Sequence, residues 1–600
     1  MRNYSAPRRD INFVLHEVLQ VEQYYSEFEY YRDKVSVELF DQYLDVADDF
    51  CQNELLPLNQ VGDSQGCRLD NGKVLTPTGF KAVYDHYIAL GFPSLTALEQ
   101  FGGQGLPNLL RTSIQEMITA CNWAWGMYPS LSHGAMRTIQ HHGNDHQKKT
   151  YLPKLISGEW TGTMCLTEAQ AGSDLGQVRT KAIPLEDGTY RIQGEKIFIS
   201  AGDHDLAENI VHIVLARLPE APTGTKGISL FIVPKLDVDT QGRITQANNV
   251  NCTALEHKMG IHGNATCVLH FDDARGYLLG PEHKGLTCMF TFMNAARLST
   301  ATQGLAISEA SFQGALQYAK ERLALRSLKG IEYPNKVADP IIVHPAIRNM
   351  LLTQKAFAEG GRLLTYQLAQ WVDSVLVNSD PIQKQKKEDL LALLTPIAKA
   401  FLTEMGVECA KHGMQVLGGH GYIAEHGMEQ LARDMRIACL YEGTTEIQSI
   451  DLLARKVLKN EGRMLKNFTD LIEVFIKENL SNFALQMYID ELQKLLEQWQ
   501  QLTRFVAQRA QQNLDEVGAA SVDYMYFSGY VTLAYVWAQA ARVAQMQIDA
   551  GSSDEFYPAK LATAEFYYLK ILTRTQTHAA NILAGSDILF RLSPHAFKFD

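Results

Sequence analysis

The sequence predicts an α+β chain of several domains: a helical domain, a central β domain, a helical bundle and a further helical domain. Three observations lead to that class. The chain has 600 residues, more than one core holds at roughly 100–200 residues per domain. Hydrophobic residues make up 46% and charged residues 20%, ordinary globular usage that removes the disordered and collagen-like classes. The apolar periodicity switches from helical to strand-like near Thr161 and back after Gly285.

Residues 1–37 read as an N-terminal arm and 38–160 as the first helical domain, where Leu39, Tyr43, Val46, Ala47 and Phe50 recur at helical spacing. Turn clusters such as Gly102 to Pro107 break it. Residues 161–280 read as the β domain. Tyr190-Arg191-Ile192 follows the hairpin turn Asp187-Gly188, and short runs at Ile210–Val214, Ile228–Val233 and Cys267–Phe271 lie between Gly, Pro and Asp loops. Residues 281–460 return to helix, over Leu298–Leu325, Pro345–Val377 and Lys387–Leu417. After a turn-rich stretch, Thr445 is expected to cap a helix with Gln448 completing a capping box, and Ile450, Leu453, Ala454, Val457 and Leu458 form its buried stripe. Residues 470–600 form the added helical domain, in which Ile489, Leu492, Leu495, Leu496, Trp499, Leu502, Phe505 and Val506 hold one apolar face.

A net charge of −12 opposes attraction to nucleic acid or to an anionic membrane surface. Nine scattered cysteines without Cys-x-x-Cys spacing argue against structural zinc and for a reducing compartment. The segment Met1–Asp10 carries Arg2, Arg8 and Arg9 with no apolar run behind them, unlike a secretory signal. The apolar run Leu390–Leu402 is interrupted by Lys399 and is short for a membrane span. A cytoplasmic protein is expected. Gly419-His420-Gly421-Tyr422-Ile423-Ala424 fits a dinucleotide fingerprint, but a helical run precedes it where a strand is needed. His141-His142-Gly143-Asn144-Asp145-His146 lacks the further ligands a metal site needs, so no metal is expected. Gln383–Glu388 reads as solvated surface.

Four words carry more. Met164-Cys165-Leu166-Thr167-Glu168-Ala169-Gln170-Ala171-Gly172-Ser173-Asp174 and Gln415-Val416-Leu417-Gly418-Gly419-His420-Gly421-Tyr422 are followed by Arg433-Asp434 and Tyr441-Glu442-Gly443-Thr444-Thr445-Glu446-Ile447-Gln448. Together they resemble, in order and spacing, the signatures of the acyl-CoA dehydrogenase family of flavoproteins. The resemblance runs from about residue 38 to 460 and implies the family fold, with a central β-barrel-like domain, plus the added C-terminal helical domain. Tyr4 to Asp10 and the extra unit after Glu461 resemble a bacterial subgroup of this length that includes 3-(methylthio)propanoyl-CoA and broad-range fatty acyl-CoA dehydrogenases.

The resemblance implies FAD and α,β-dehydrogenation of an acyl-CoA thioester to the trans-2-enoyl-CoA, a step of fatty acid β-oxidation. Glu442 matches the family's base, which takes the α-proton while the β-hydride passes to flavin N5. Read alone, Glu442 is an acid in a turn before a helix. Some relatives carry the base just before an Arg-Leu pair, here Arg297-Leu298, but the preceding Ala296 accepts no proton. Met164, Leu166 and Thr167 match flavin contacts. Phe198 and Ser200 stand where the family often has Trp and Thr, and can still cover the ring and bond its edge. Arg322 matches an arginine given to a neighbouring subunit's flavin pyrophosphate, although Leu325-Arg326 replaces the usual Phe-Gly after it. Gln415, Val416, Leu417, Gly418 and Gly419 would offer backbone N–H groups to that flavin, with Thr444 and Glu446 also near it. Ser173, Arg297 and Gly443 match substrate positions.

The resemblance further implies a homodimer, the added domain taking one of the family's two contact surfaces, and an electron-transfer flavoprotein as acceptor. Two other readings stand beside it. An acyl-CoA oxidase uses the same fold and base. A flavin-bearing, DNA-associated relative needs a basic face, which residues 551–600 and the −12 charge do not supply. The acyl chain is not legible in any local word.

Overall fold

The computed structural model describes residues 4–239, 241–459 and 461–598. It divides into two compact units, one of residues 41–299, the other of residues up to 40 together with those from 300 onwards.

The first unit is helical, then β. Helix α1, Val37–Phe50, buries Phe40, Leu44 and Ala47 and leaves Val46 exposed. The expected Ala47 and Phe50 are buried, but Phe40 and Leu44 take the places on the buried stripe expected of Leu39 and Tyr43, which are half-buried. Both stripes are apolar, and packing chooses the one that carries Phe40. Helix α2, Asn108–His142, is bent at Asn122 (φ −152°, ψ 85°). There the Asn122 Oδ1 accepts from Trp125 N at 3.1 Å and restarts the helix. Its last residue, His142, hydrogen-bonds Thr291 Oγ1 through Nε2 at 2.8 Å. Helix α3, Asp145–Ser157, begins with a reciprocal Asn144–Gln147 capping box.

The β domain contains strands β1 (Trp160–Cys165), β2 (Lys181–Pro184), β3 (Tyr190–Ser200), β4 (Asn209–Arg217), β5 (Ile228–Pro234), β6 (Val250–Leu255) and β7 (Thr266–Leu278). Their order is β6-β7-β3-β2-β4-β1, and β5 pairs with both β7 and β4, closing a ring. The expected Asp187-Gly188 turn joins β2 to β3 antiparallel, while β1 and β4 run parallel. Strand β4 is buried along nearly its whole length, as a continuous apolar run in a strand covered on both faces requires.

In the second unit, helix α4 is the C-terminal part of Gly285–Glu321, a helix that starts well before the expected Leu298. Beyond Glu321 the backbone bonds to another segment, Ile341 N donating to Arg322 O at 2.8 Å and Ala324 N to Asp339 O at 3.0 Å, and Leu325 turns left-handed at φ +62°. Helix α5 spans Pro345–Val377, as expected, and α6 spans Pro381–Leu417. The sequence reading began α6 at Lys387, but Asp380 caps it earlier by accepting from Ile382 N and Gln383 N. By length and composition the stretch Pro381–Tyr422 could cross a membrane, yet 78% of its apolar window is buried, the pattern of a core helix. Helix α7 is Met428–Met435. Helix α8, Thr445–Ile450, runs on through wider turns to Leu458. Of the expected stripe Leu453 and Val457 are buried and Ile450, Ala454 and Leu458 are half-buried, with Leu452 buried beside them. Helices α9 (Arg463–Asn479), α10 (Gln486–Ala510), α11 (Asp515–Asp549), α12 (Phe556–Phe566) and α13 (Thr575–Ala584) make the added region.

The added region is bonded closely to α5 and α6. Trp537 lies on Gly360 and donates from Nε1 to Ala356 O at 3.2 Å. Phe401 meets the Tyr530 ring edge-on at 4.8 Å where Gly529 leaves room. Arg574 holds Glu408 through two bonds of 2.7 and 2.8 Å. The N-terminal arm belongs to this unit: Tyr25 donates to Asp373 at 2.6 Å, and buried Asp10 lies between Arg362 and Lys560. Burial pushes the Asp10 carboxyl up, but those two cations outweigh it and bring it to about 2.

Candidate active site

In the first unit the word after β1 is pinned to β3. Thr167 O accepts from Ile197 N at 2.9 Å, and Leu166 O accepts from the fully buried Lys196 Nζ at 2.9 Å. Lys196 also pairs with buried Glu168 at 2.9 Å. Glu168 accepts in addition from Arg179 N (2.7 Å), Thr180 N (3.0 Å) and Thr180 Oγ1 (2.6 Å). Burial pushes its carboxyl up, but Lys196 and these donors hold it at about 2.

Beside this anchor the pairing of β3 with β7 slips: Cys267 faces Ile199 and Leu269 faces Lys196, so Ile197 and Phe198 stand opposite Val268 alone. The bulge puts Phe198 at φ +59° and leaves the residue 58% exposed. A left-handed aromatic residue held open to solvent is strained and apolar at once, and such positions cluster where a ligand is clamped. Across the strands from Ser200, the buried Thr266 Oγ1 has no hydrogen-bond partner among the described residues. A flat ring with polar edges fits this pair of features. Met164 is half-buried on β1, and Ser173 is exposed on the bend before Asp174. Arg297 is buried, its guanidinium 5.8 Å from the Phe290 ring.

In the second unit Glu442 (φ +56°) and Gly443 (φ +88°) are successive left-handed residues. Gln448 Nε2 donates to Glu442 O at 2.9 Å, and Lys399 Nζ donates to Gly443 O at 2.6 Å. A Cβ on Gly443 would lie 2.5 Å from Gln448 Nε2, so the position requires glycine for space as well as for φ. Tyr441 donates to Gln303 at 2.5 Å. The cap of α8 is Thr444, whose Oγ1 accepts from Ile447 N at 3.3 Å, and not Thr445, which donates to Glu404 at 2.6 Å. Gln448 is therefore spent on the Glu442 carbonyl and makes no capping box. Glu446 is exposed in the first turn.

Arg322 lies just beyond α4, exposed. One turn earlier the Tyr318 hydroxyl and His420 Nδ1 share a hydrogen bond of 2.7 Å, which ties this helix to the Gly418-Gly419 turn. Val416 and Leu417 are buried, while Gln415, Gly418 and Gly419 are exposed. Among the described residues nothing lies within 4 Å of a Cβ built on either glycine, so a ligand can approach that backbone. The Gly418 N–H, however, is engaged with Gln415 O as the helix end, which removes it from the expected set of donors.

Family models match all four regions: the acyl-CoA dehydrogenase N-terminal domain over 40–159, the middle domain over 163–274, the C-terminal domain over 283–458, and an acetyl-CoA dehydrogenase C-terminal-like domain over 468–593. The chain belongs to the acyl-CoA dehydrogenase family. The dehydrogenase is 39% identical over 597 residues to the 3-methylmercaptopropionyl-CoA dehydrogenase of Ruegeria pomeroyi, covering 98% of this chain and 100% of that one. It is 34% identical to a broad-specificity linear acyl-CoA dehydrogenase of Mycobacterium tuberculosis, covering 96% and 97%. The crystal structure of a Bacillus anthracis acyl-CoA dehydrogenase complexed with FAD shares the fold, with TM-score 0.73, 22% identity and coverage of 93% and 90%. The enzyme is accordingly an FAD-dependent oxidoreductase acting on acyl-CoA.

Several residues of these two arrangements escaped the sequence reading. Lys196 stands on the same strand face as buried Ile192, and a lysine on an apolar face beside the first signature was the available signal. Lys399 was visible only as a break in an apolar run. Its carbonyl partner is distant in sequence and could not be read from it.

Proposed function

We propose that Glu442 is the base that takes the α-proton of a saturated acyl-CoA, the β-hydrogen leaving as hydride to give the trans-2-enoyl-CoA. The observation that carries this is the left-handed Glu442, at φ +56° immediately before the capped start of α8. Strain at a carboxylate is retained where geometry matters. Bound FAD would supply the two-electron acceptor, with Leu166, Thr167, Phe198 and Ser200 holding its ring, while Arg322 and the Gly418-Gly419 turn would be offered to the pyrophosphate of a neighbouring subunit's flavin. Gly443 and Arg297 serve the thioester end of the substrate, and Ser173 the CoA end. Glu442→Gln keeps FAD and loses about 10³-fold in turnover, the order a positioned general base contributes. Full activity in that variant refutes the assignment.

The preferred acyl group is the finer question, and the Ruegeria pomeroyi relative supports a second reading with 3-(methylthio)propanoyl-CoA as substrate. Anaerobic flavin bleaching across short, medium, long and methylthio acyl-CoAs separates the two. An electron-transfer flavoprotein is the proposed acceptor. Peroxide formed in air at the rate of turnover would instead mark an oxidase. The nine cysteines are all thiols, which supports a cytoplasmic setting.

A homodimer is proposed on the loop that follows Arg322. Leu328 and Val337 are 97% and 92% exposed, and Leu325 and Ile331 are exposed beside them. Asp339 holds this apolar loop by accepting from Ser327 N at 2.9 Å, Tyr333 N at 2.8 Å and Arg326 Nη1 at 3.2 Å. A rigid apolar projection is suited to a second copy. Sedimentation of the FAD-loaded Leu328→Asp protein as a monomer, against a dimeric parent, is the expected result.

A further inference from the structure

Lys399 and Gln448 have no part in the chemistry described so far, yet both are fully buried beneath the loop of Glu442. A lysine in an apolar core is costly unless its nitrogen finds an acceptor, and here it donates to the Gly443 carbonyl at 2.6 Å. Gln448 donates to the carbonyl one residue earlier, Glu442 O, at 2.9 Å. The two carbonyls belong to the two peptide planes that follow the Glu442 Cα. A flip of the first plane would swing its oxygen from Gln448 and change ψ of Glu442 and φ of Gly443; a flip of the second would swing its oxygen from Lys399 and change ψ of Gly443, so each donor fixes one side of the left-handed pair that carries the Glu442 side chain.

The stretch of α6 that carries Lys399 is itself fixed on other sides. Glu404 accepts from Thr445 Oγ1 at 2.6 Å, which ties the start of α8 to α6. Phe401 is wedged against Tyr530 of the added region, and Glu408 is held by Arg574. Helix α6 therefore joins the added domain to the loop through side chains less than three turns apart.

We infer that Lys399 and Gln448 are positioning residues: they lock the two peptide planes after Glu442 and so hold its carboxylate in the orientation for α-proton removal. This rests on Glu442 being the base. A misplacement of about 1 Å at a reacting group costs on the order of 10²-fold in rate, with little effect on binding of the rest of the substrate.

The test uses full-length, FAD-loaded Lys399→Met, Gln448→Leu and the double variant beside Glu442→Gln, mixed anaerobically with butanoyl-CoA and with its α-deuterated form. For each single variant the rate constant of flavin bleaching falls about 10²-fold, the apparent Kd for butanoyl-CoA stays within about threefold, and the deuterium isotope effect rises. The double variant loses less than the product of the two singles, because both residues hold one geometry. A merely structural role predicts loss of FAD or of soluble protein with an unchanged isotope effect in whatever remains folded. If one single variant does not fold, the other carries the same criterion. Bleaching within threefold of the parent in a folded single variant, with Glu442→Gln inactive, overturns the inference. An active Glu442→Gln overturns the base assignment itself.

Discussion

Replacing Glu168 by glutamine tests how the flavin-side loop is held. The Glu168 carboxylate receives Lys196 Nζ at 2.9 Å and three donors from Arg179 and Thr180, all in a buried setting. Glutamine keeps the shape but removes the charge, leaving the ammonium of the fully buried Lys196 without its counter-ion. Breaking a buried pair from one side costs about 3–5 kcal/mol. The acid–base behaviour gives a similar size: a carboxyl moved from 4.5 to about 2 corresponds to roughly 3 kcal/mol at about 1.4 kcal/mol per unit. Because the folded-state value lies below the unfolded one, this contribution is complete above about pH 4.5 and is lost as the pH falls towards 2. Urea unfolding of the apoprotein at pH 7 measures the first quantity, and its pH dependence measures the second. Lys196→Met alone is also destabilising, whereas combining it with Glu168→Gln recovers part of the loss, since neither charge is then stranded. The Leu166 carbonyl loses its donor in the lysine variant, so FAD affinity falls there as well. A Glu168→Gln protein that unfolds within about 1 kcal/mol of the parent at pH 7 would refute the reasoning.

Two further outcomes concern the flavin-binding elements. Phe198→Gly relieves the left-handed strain, stabilising the apoprotein by up to about 1 kcal/mol, yet removes the exposed ring and weakens FAD at least tenfold; fluorescence titration of the apoprotein measures the second effect. Tyr318→Phe deletes the 2.7 Å bond to His420 and loosens the Gly418-Gly419 turn. It costs about 1 kcal/mol, or roughly fivefold in FAD dissociation constant by the same titration, with the rate of bleaching at saturating FAD unchanged.

Much of the fold was legible because helix and strand are local phenomena. Pro345–Val377 was bounded correctly by a proline at its start, and the Asp187-Gly188 turn marked its hairpin. The misses share a cause. Residues Leu39, Tyr43 and Val46 form an apolar stripe as good as the one with Phe40 and Leu44, and only the shape of the neighbouring core selects between them. The capping residue slipped from Thr445 to Thr444 because both are threonines, and Glu404, distant in sequence, claims the hydroxyl of Thr445.

The sequence by itself determined the family, the reaction class and the residues that form its signature words, since those words are contiguous and their chemistry belongs to residue types. Tertiary structure decided how those residues are held. Lys196 reaches the Leu166 carbonyl, Lys399 the Gly443 carbonyl and Tyr318 the His420 ring, each across a long interval of chain. A buried lysine is tolerated only where folding brings it an acceptor, and a left-handed glutamate only where the surroundings allow no other conformation. Both conditions are set by contacts between segments that do not exist until the chain has packed.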